Sequence, residues 1–207
     1  MANYSSGGLG SIPTVVKYLL IANVVVYLAQ IVFMKQGTPL EYWGALWSLG
    51  SGNFKIWQLI THLFMHDTRT IFHILFNMFG LWMFGSILEN HWGPKRFFNF
   101  YFICGILAGV VQLVFGNFDY AIGASGAVMG IFAGFAYLFP NTELIMFPIP
   151  IPLKAKWVVL GYVLLDLFGG FGTVQGDNIA HFAHLGGALT GFIILLIWNK
   201  TNRRTLY

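Results

Sequence analysis

Charge is what this 207-residue sequence has least of: Asp, Glu, Lys and Arg make up 9% of it, against about 25% in an average soluble domain. With 57% hydrophobic residues and a mean hydropathy of +0.71, a water-soluble globule of this size is excluded, because its surface could not cover so much apolar area. The single cysteine, Cys104, excludes an internal disulfide and reads as a small buried apolar residue. Eleven basic against seven acidic residues is a small surplus, scattered between apolar runs, so nucleic acid is excluded as a partner. Residues 1–12 contain no Lys or Arg, and no small-residue cleavage site follows the first apolar run. That run is expected to be a membrane span and not a cleavable signal. No internal repeat or low-complexity segment divides the chain, which reads as one domain over residues 1–207.

What the sequence does have is six apolar segments, at 14–34, 71–88, 97–115, 122–139, 157–171 and 178–198. A span needs about 20 residues, so the fourth and fifth are short. Alternating spans that start from a cytoplasmic N-terminus leave Lys17, Lys95, Arg96, Lys154, Lys156, Lys200, Arg203 and Arg204 inside. Lys35, Lys55 and Arg69 fall outside. Eight of the eleven basic residues inside predicts an N-in, C-in topology. The expected fold is therefore an all-α polytopic membrane protein of six transmembrane helices in a lipid bilayer. Its first loop, 35–70, carries Tyr42, Trp43, Trp47, Phe54 and Trp57, and is expected to lie partly helical in the outer interface.

Polar side chains at membrane depth are costly, which makes them functional candidates. His73 and Asn77 stand at i and i+4 in the second segment and share a helix face. They are either two donors aimed at one point or an interhelical hydrogen-bond pair. The fourth segment opens Gly123-Ala124-Ser125-Gly126. A serine at a helix start is either a cap or a nucleophile beside backbone N–H groups that have no internal partner. Small-residue stripes follow, Gly126, Gly130 and Gly134 in this segment and Gly187 and Gly191 in the sixth; these are expected to let the two helices approach closely. His184 lies near the centre of the Gly187–Gly191 face and His181 toward its flank, so His184 is the better placed to meet Ser125. A serine nucleophile needs an adjacent base, a role suited to histidine. His73, Asn77 and the Ser125 N–H could then bind an oxyanion. Asp166, in the fifth segment, is expected to be a helix-end or structural partner and not a third catalytic member.

The motifs His73-xxx-Asn77, Gly123-Ala124-Ser125-Gly126 and Ala183-His184-Leu185-Gly186-Gly187, in that order and on those spans, resemble the rhomboid intramembrane proteases. The resemblance covers nearly the whole chain, from Thr14 to Asn199. It implies a cofactor-free Ser–His dyad of Ser125 and His184, in a water-filled cavity below the outer surface. His73, Asn77 and the serine loop around Gly123 would support the oxyanion. The implied partner is a transmembrane protein substrate with a single span, cut in or near that span, and the implied location is a bacterial cytoplasmic membrane. The fifth helix and the loop after it, around 168–176, would form the gate. Two positions depart from the family pattern. Some bacterial members have a tyrosine four residues after the serine, stacked on the histidine; here Met129 stands there and can still contact an imidazole ring. The family's Trp-Arg pair appears as Trp57-Gln58, a change expected to touch loop anchoring and not chemistry. The other readings are a non-proteolytic client-binding pseudoenzyme, a metal protein using His62 and His66 with His181 and His184 as further contributors, and a transporter. Loss of the serine or histidine would mark the first, and neither is lost. For the second, there is no HExxH motif or carboxylate cluster to complete a metal shell. Two inverted halves would mark the third, and they are not evident.

Overall fold

A computed structural model describes residues 12–146, 149–171 and 179–201, and these are mostly helical. Helix α1 (Thr14–Lys35) leads into a loop that holds α2 (Glu41–Gly44), the short strand β1 (Leu46–Trp47) and α3 (Gln58–Thr61). Helices α4 (Ile71–Gly80) and α5 (Ser86–Trp92) run on from one another through a π-helical turn at Leu81–Gly85. Gly93, at φ 82°, ends that run, and Pro94 opens α6 (Pro94–Phe115). Gly just past a helix end and Pro at the first helical position are each favoured there. After β2 (Tyr120–Ala121) come α7 (Ser125–Leu138), the hairpin strands β3 (Glu143–Met146) and β4 (Ile149–Lys154), α8 (Ala155–Phe171) and α9 (His181–Thr201).

Among the described residues, four helical runs can cross a membrane by length and composition: Thr14–Lys35, Ile71–Trp92, Pro94–Phe115 and His181–Lys200. Segments four and five correspond to α7 and α8, which are shorter. The second segment runs on to Trp92, past the expected end at 88, because Gly93 is the first residue that breaks it. The hairpin between α7 and α8 was not anticipated, and pairs Glu143 with Lys154 and Leu144 with Leu153. The expected gate lies only partly within the described residues, since 172–178 fall outside them, as do Arg203 and Arg204.

The core is aromatic and aliphatic, with Leu81, Leu88, Phe97, Phe100, Tyr101, Ile131 and Leu195 all fully buried. The outward faces are apolar as well: Tyr18, Val25 and Leu28 on α1, Phe76 on α4, and Leu165 and Phe168 on α8 are all exposed. Helices hydrophobic all round belong in lipid. At one end of the bundle the Trp92 and Trp198 rings meet edge to face at 5.3 Å, Arg96 lies over the Trp198 ring, and His91 touches Phe139. The ends of α5, α7 and α9 therefore share one face, and the starts of α7 and α9 share the opposite one.

The start of α1 also belongs to the first face. Glu89, 3% exposed, accepts hydrogen bonds from the N–H groups of Val15 and Val16 at 2.9 and 2.8 Å. A carboxylate there satisfies two donors that have no helical acceptor and meets the positive end of the helix dipole. Hydrogen bonds to a charged group contribute about 1.5–3 kcal/mol each. Glu89→Ala should therefore lower the thermal midpoint in detergent by several degrees, and Glu89→Gln, which keeps an acceptor, should lower it less.

Candidate active site

Ser125 is the first residue of α7, and the N–H groups of the helix's first turn have no helical acceptor. The loop before it is held from two sides. Strand β2 pairs with β1, Leu46 opposite Ala121 and Trp47 opposite Tyr120, and the Ser48 N–H donates to Asp119 O. The Gly123 N–H donates to His62 O at 2.9 Å. Gly123 itself sits at φ +124°, where a side chain is strained. A Cβ on it would lie 2.8 Å from His73 Nε2 and 3.6 Å from Ser125 Oγ. The absent side chain thus leaves a space bounded by the serine and the histidine of α4.

The first loop is anchored by Gln58, one of the two positions that depart from the pattern of the resemblance. Gln58, 1% exposed, accepts from the Lys55 N–H at 3.0 Å and the Trp47 N–H at 3.3 Å, and donates to Asn53 O and Trp43 O. His62 Nδ1 donates to Gln58 O, 2.6 Å away. Gln30 clamps the backbone of His66 in both directions, donating to its carbonyl and accepting its N–H, each at 2.9 Å. The His62 side chain and Gln30, acting on the backbone of His66, thus hold the loop in place.

Helix α9 is set by Gln112 of α6, whose Oε1 accepts the Ala183 N–H at 2.9 Å, in the first turn of α9. The glycine stripes do meet. A Cβ on Gly187 would collide with the Gly126 carbonyl, and one on Gly191 would lie 2.7 Å from Gly130 O. This close approach brings His184 Nε2 to 2.8 Å from Ser125 Oγ.

The other ring nitrogen is also engaged. His184 Nδ1 lies 3.0 Å from Asp166 Oδ1 of α8, and His181 Nδ1 lies 2.8 Å from the same oxygen. Asp166 is 6% exposed and stands inside α8, five residues before its last. It is therefore a partner of both histidines, and the helix-end expectation is replaced by this contact. A carboxylate only accepts, so both Nδ1 atoms carry the hydrogen and His184 Nε2 presents a lone pair to the serine hydroxyl.

His73 and Asn77 do stand together. The Asp67 N–H donates to His73 Nδ1 at 3.1 Å, which leaves Nε2 as the protonated nitrogen of a neutral ring and aims a donor at the space beside Gly123. Asn77 spends one N–H on His73 O at 2.9 Å and keeps a second. Met129 is buried in an apolar cluster with Ala133 and Ala188, against Phe132 and Val163. Sequence reasoning missed Gln112 as the residue that sets α9. The available signal was a lone amide in an apolar run, which needs a partner at that depth.

The sequence matches the rhomboid domain family over residues 53–200; the chain belongs to this family and is an integral membrane protein. Among curated relatives it is 33% identical over 165 residues to the putative rhomboid protease YdcA of Bacillus subtilis, covering 76% of this chain and 75% of that one. It is 26% identical over 187 residues to Rhomboid-like protease 3 of Toxoplasma gondii, covering 88% and 68% respectively. To the rhomboid protease GlpG of Photorhabdus laumondii it is 26% identical over 191 residues, covering 90% of this chain and 61% of the relative.

Burial pushes His62 down to about 4 and His66, which also feels His73, down to about 3, from the ordinary 6.5. Both stay neutral in the folded protein, while an unfolded chain takes up protons below about 6.5. The unfolded state then binds more protons, so stability is full above that pH and falls as the pH drops from about 6.5 toward 4. Thermal unfolding followed across that window should show the decline, with a shallower slope for His62→Asn.

Proposed function

We propose that the chain is an intramembrane serine endopeptidase that cleaves single-span membrane proteins in or near their transmembrane segment. The observation that carries this reading is the 2.8 Å contact between Ser125 Oγ and His184 Nε2, made at the start of a helix in a chain of the rhomboid family. His184 takes the hydroxyl proton as Ser125 Oγ bonds to the scissile carbonyl carbon. The oxyanion that forms is held by the Ser125 N–H, His73 Nε2–H and the second N–H of Asn77. His184 then gives the proton to the leaving amine as the C–N bond breaks, which leaves an acyl-enzyme. Water, activated by the same histidine, attacks the acyl carbon and releases the serine.

Depth supports the same reading. Fourteen residues make α7 about 21 Å long at 1.5 Å per residue, short of the roughly 30 Å hydrocarbon core. Its last turn shares a face with the ends of α5 and α9, so Ser125 at its start is recessed from the opposite surface. We place that recessed face outside, in a six-span, N-in and C-in arrangement, because eight of the eleven basic residues then lie inside. A client-binding protein without catalysis would not need a serine hydroxyl, an imidazole and oriented donors at one point.

The test uses detergent-purified protein, a fluorophosphonate probe and a model transmembrane substrate. Ser125→Ala should lose both labelling and cleavage, and His184→Ala should lose turnover while keeping the wild-type melting profile. Cleavage that survives Ser125→Ala would refute the mechanism. Gly123→Ala should keep Ser125 and His184 but lower turnover about 100-fold or more, because the new methyl enters the space where the donors converge.

A further inference from the structure

Taking Ser125 and His184 as the reacting pair, and so resting on the serine-protease reading, we infer that Asp166 of α8 is a positioning residue for the base. It turns the pair into a Ser–His–Asp relay whose members come from three helices. Asp166 Oδ1 accepts from His184 Nδ1 while His184 Nε2 faces Ser125 Oγ, at 3.0 and 2.8 Å. The carboxylate thereby sets the tautomer that can take a proton from the serine, and its negative charge stabilises the imidazolium formed during attack. It does not take up the proton itself.

A carboxylate inside an apolar helix is costly unless donors meet it. Two imidazole N–H groups do, and the second of them has its own role. His181, one turn before His184, binds the same oxygen at 2.8 Å and holds the carboxylate against rotation. Gly169, three residues after Asp166 on α8, has no side chain where the His181 ring lies against it. Val163, three residues before Asp166, packs on Met129 and Ala188. The face of α8 that carries Asp166 is thus seated on α9 beside Gly169 and on the seam of α7 and α9 beside Val163. Among the described residues, the polar and titratable groups that surround the His184 ring are Ser125 from α7, Asp166 from α8 and His181 from α9, with His73 of α4 across Gly123.

A purely structural role, in which Asp166 only ties α8 to α9, makes a different prediction from a positioning role. Asp166→Asn keeps size and hydrogen-bonding capacity but loses the charge, and its amide can offer an N–H to Nδ1 and favour the wrong tautomer. With the substrate assay above, it should lower kcat about 100-fold or more, leave KM near the wild-type value, and move the acid limb of the pH–rate profile to lower pH. Asp166→Glu should recover part of the rate. His181→Ala should lose several-fold in kcat, through a looser carboxylate. If Asp166→Asn keeps wild-type kcat and pH profile while Ser125→Ala is inactive, the positioning role is wrong and the protease reading stands. Cleavage by Ser125→Ala would remove both. Should Asp166→Asn lose its thermal transition, wild-type protein labelled with 15N-histidine decides. The relay requires a strongly deshielded Nδ1–H proton that disappears in His184→Gln, and its absence would overturn the inference.

Discussion

The backbone contact between α7 and α9 is the constraint on which the rest of the site depends. Gly187 lies against the Gly126 carbonyl and Gly191 against that of Gly130, so the two helices touch without intervening side chains. Serine and histidine reach only short distances from their helix axes, and a 2.8 Å contact between them needs this close approach. In lipid there is no hydrophobic drive to press helices together, so dispersion between closely fitted backbones and polar contacts must hold them. A single methyl at Gly187 would push α9 outward and separate the pair without touching either side chain.

Close approach sets a distance but not a rotation or a depth, and buried polar groups supply those. Gln112 holds the first turn of α9 through the Ala183 N–H, Gln30 holds the loop at His66, and Glu89 holds the start of α1. Each is a polar side chain at a depth where an unmet hydrogen bond is expensive. Each meets a backbone group on a different element, which makes the position of that element specific. The first loop follows the same rule, with Gln58 gathering backbone groups on both sides of it.

What the sequence made legible was what depends on local order. The serine loop, the two histidine-bearing helices and the facing glycine stripes follow from motifs and a 3.6-residue period, and the structure brings these residues together. The preference for His184 over His181 came from the same period, since only the residue near the centre of the glycine face can meet α7. What remained hidden depends on how one helix is turned against another. Asp166 stands alone in its segment, and no spacing within α8 announces that its carboxylate faces two histidines of α9. Gln112, a lone amide in an apolar run, announces that it needs a partner but, for the same reason, not which one. The pairing of β3 with β4 was not expected either, although Ile149-Pro150-Ile151-Pro152 alternates apolar residues and prolines.

Met129 shows how these two kinds of information combine. Where some relatives by resemblance stack an aromatic ring on the histidine, this chain turns a methionine into the apolar seam with Ala188 and Val163. A stacked ring restrains the plane of an imidazole but does not choose which nitrogen carries the proton. Hydrogen bonds at both nitrogens restrain the plane and the tautomer together. With Ser125 on one nitrogen and Asp166 on the other, the orientation of His184 no longer depends on what lies beside its face. The residue at 129 is then free to serve packing between α7, α8 and α9, and seating α8 through that packing is what keeps Asp166 within reach of the ring.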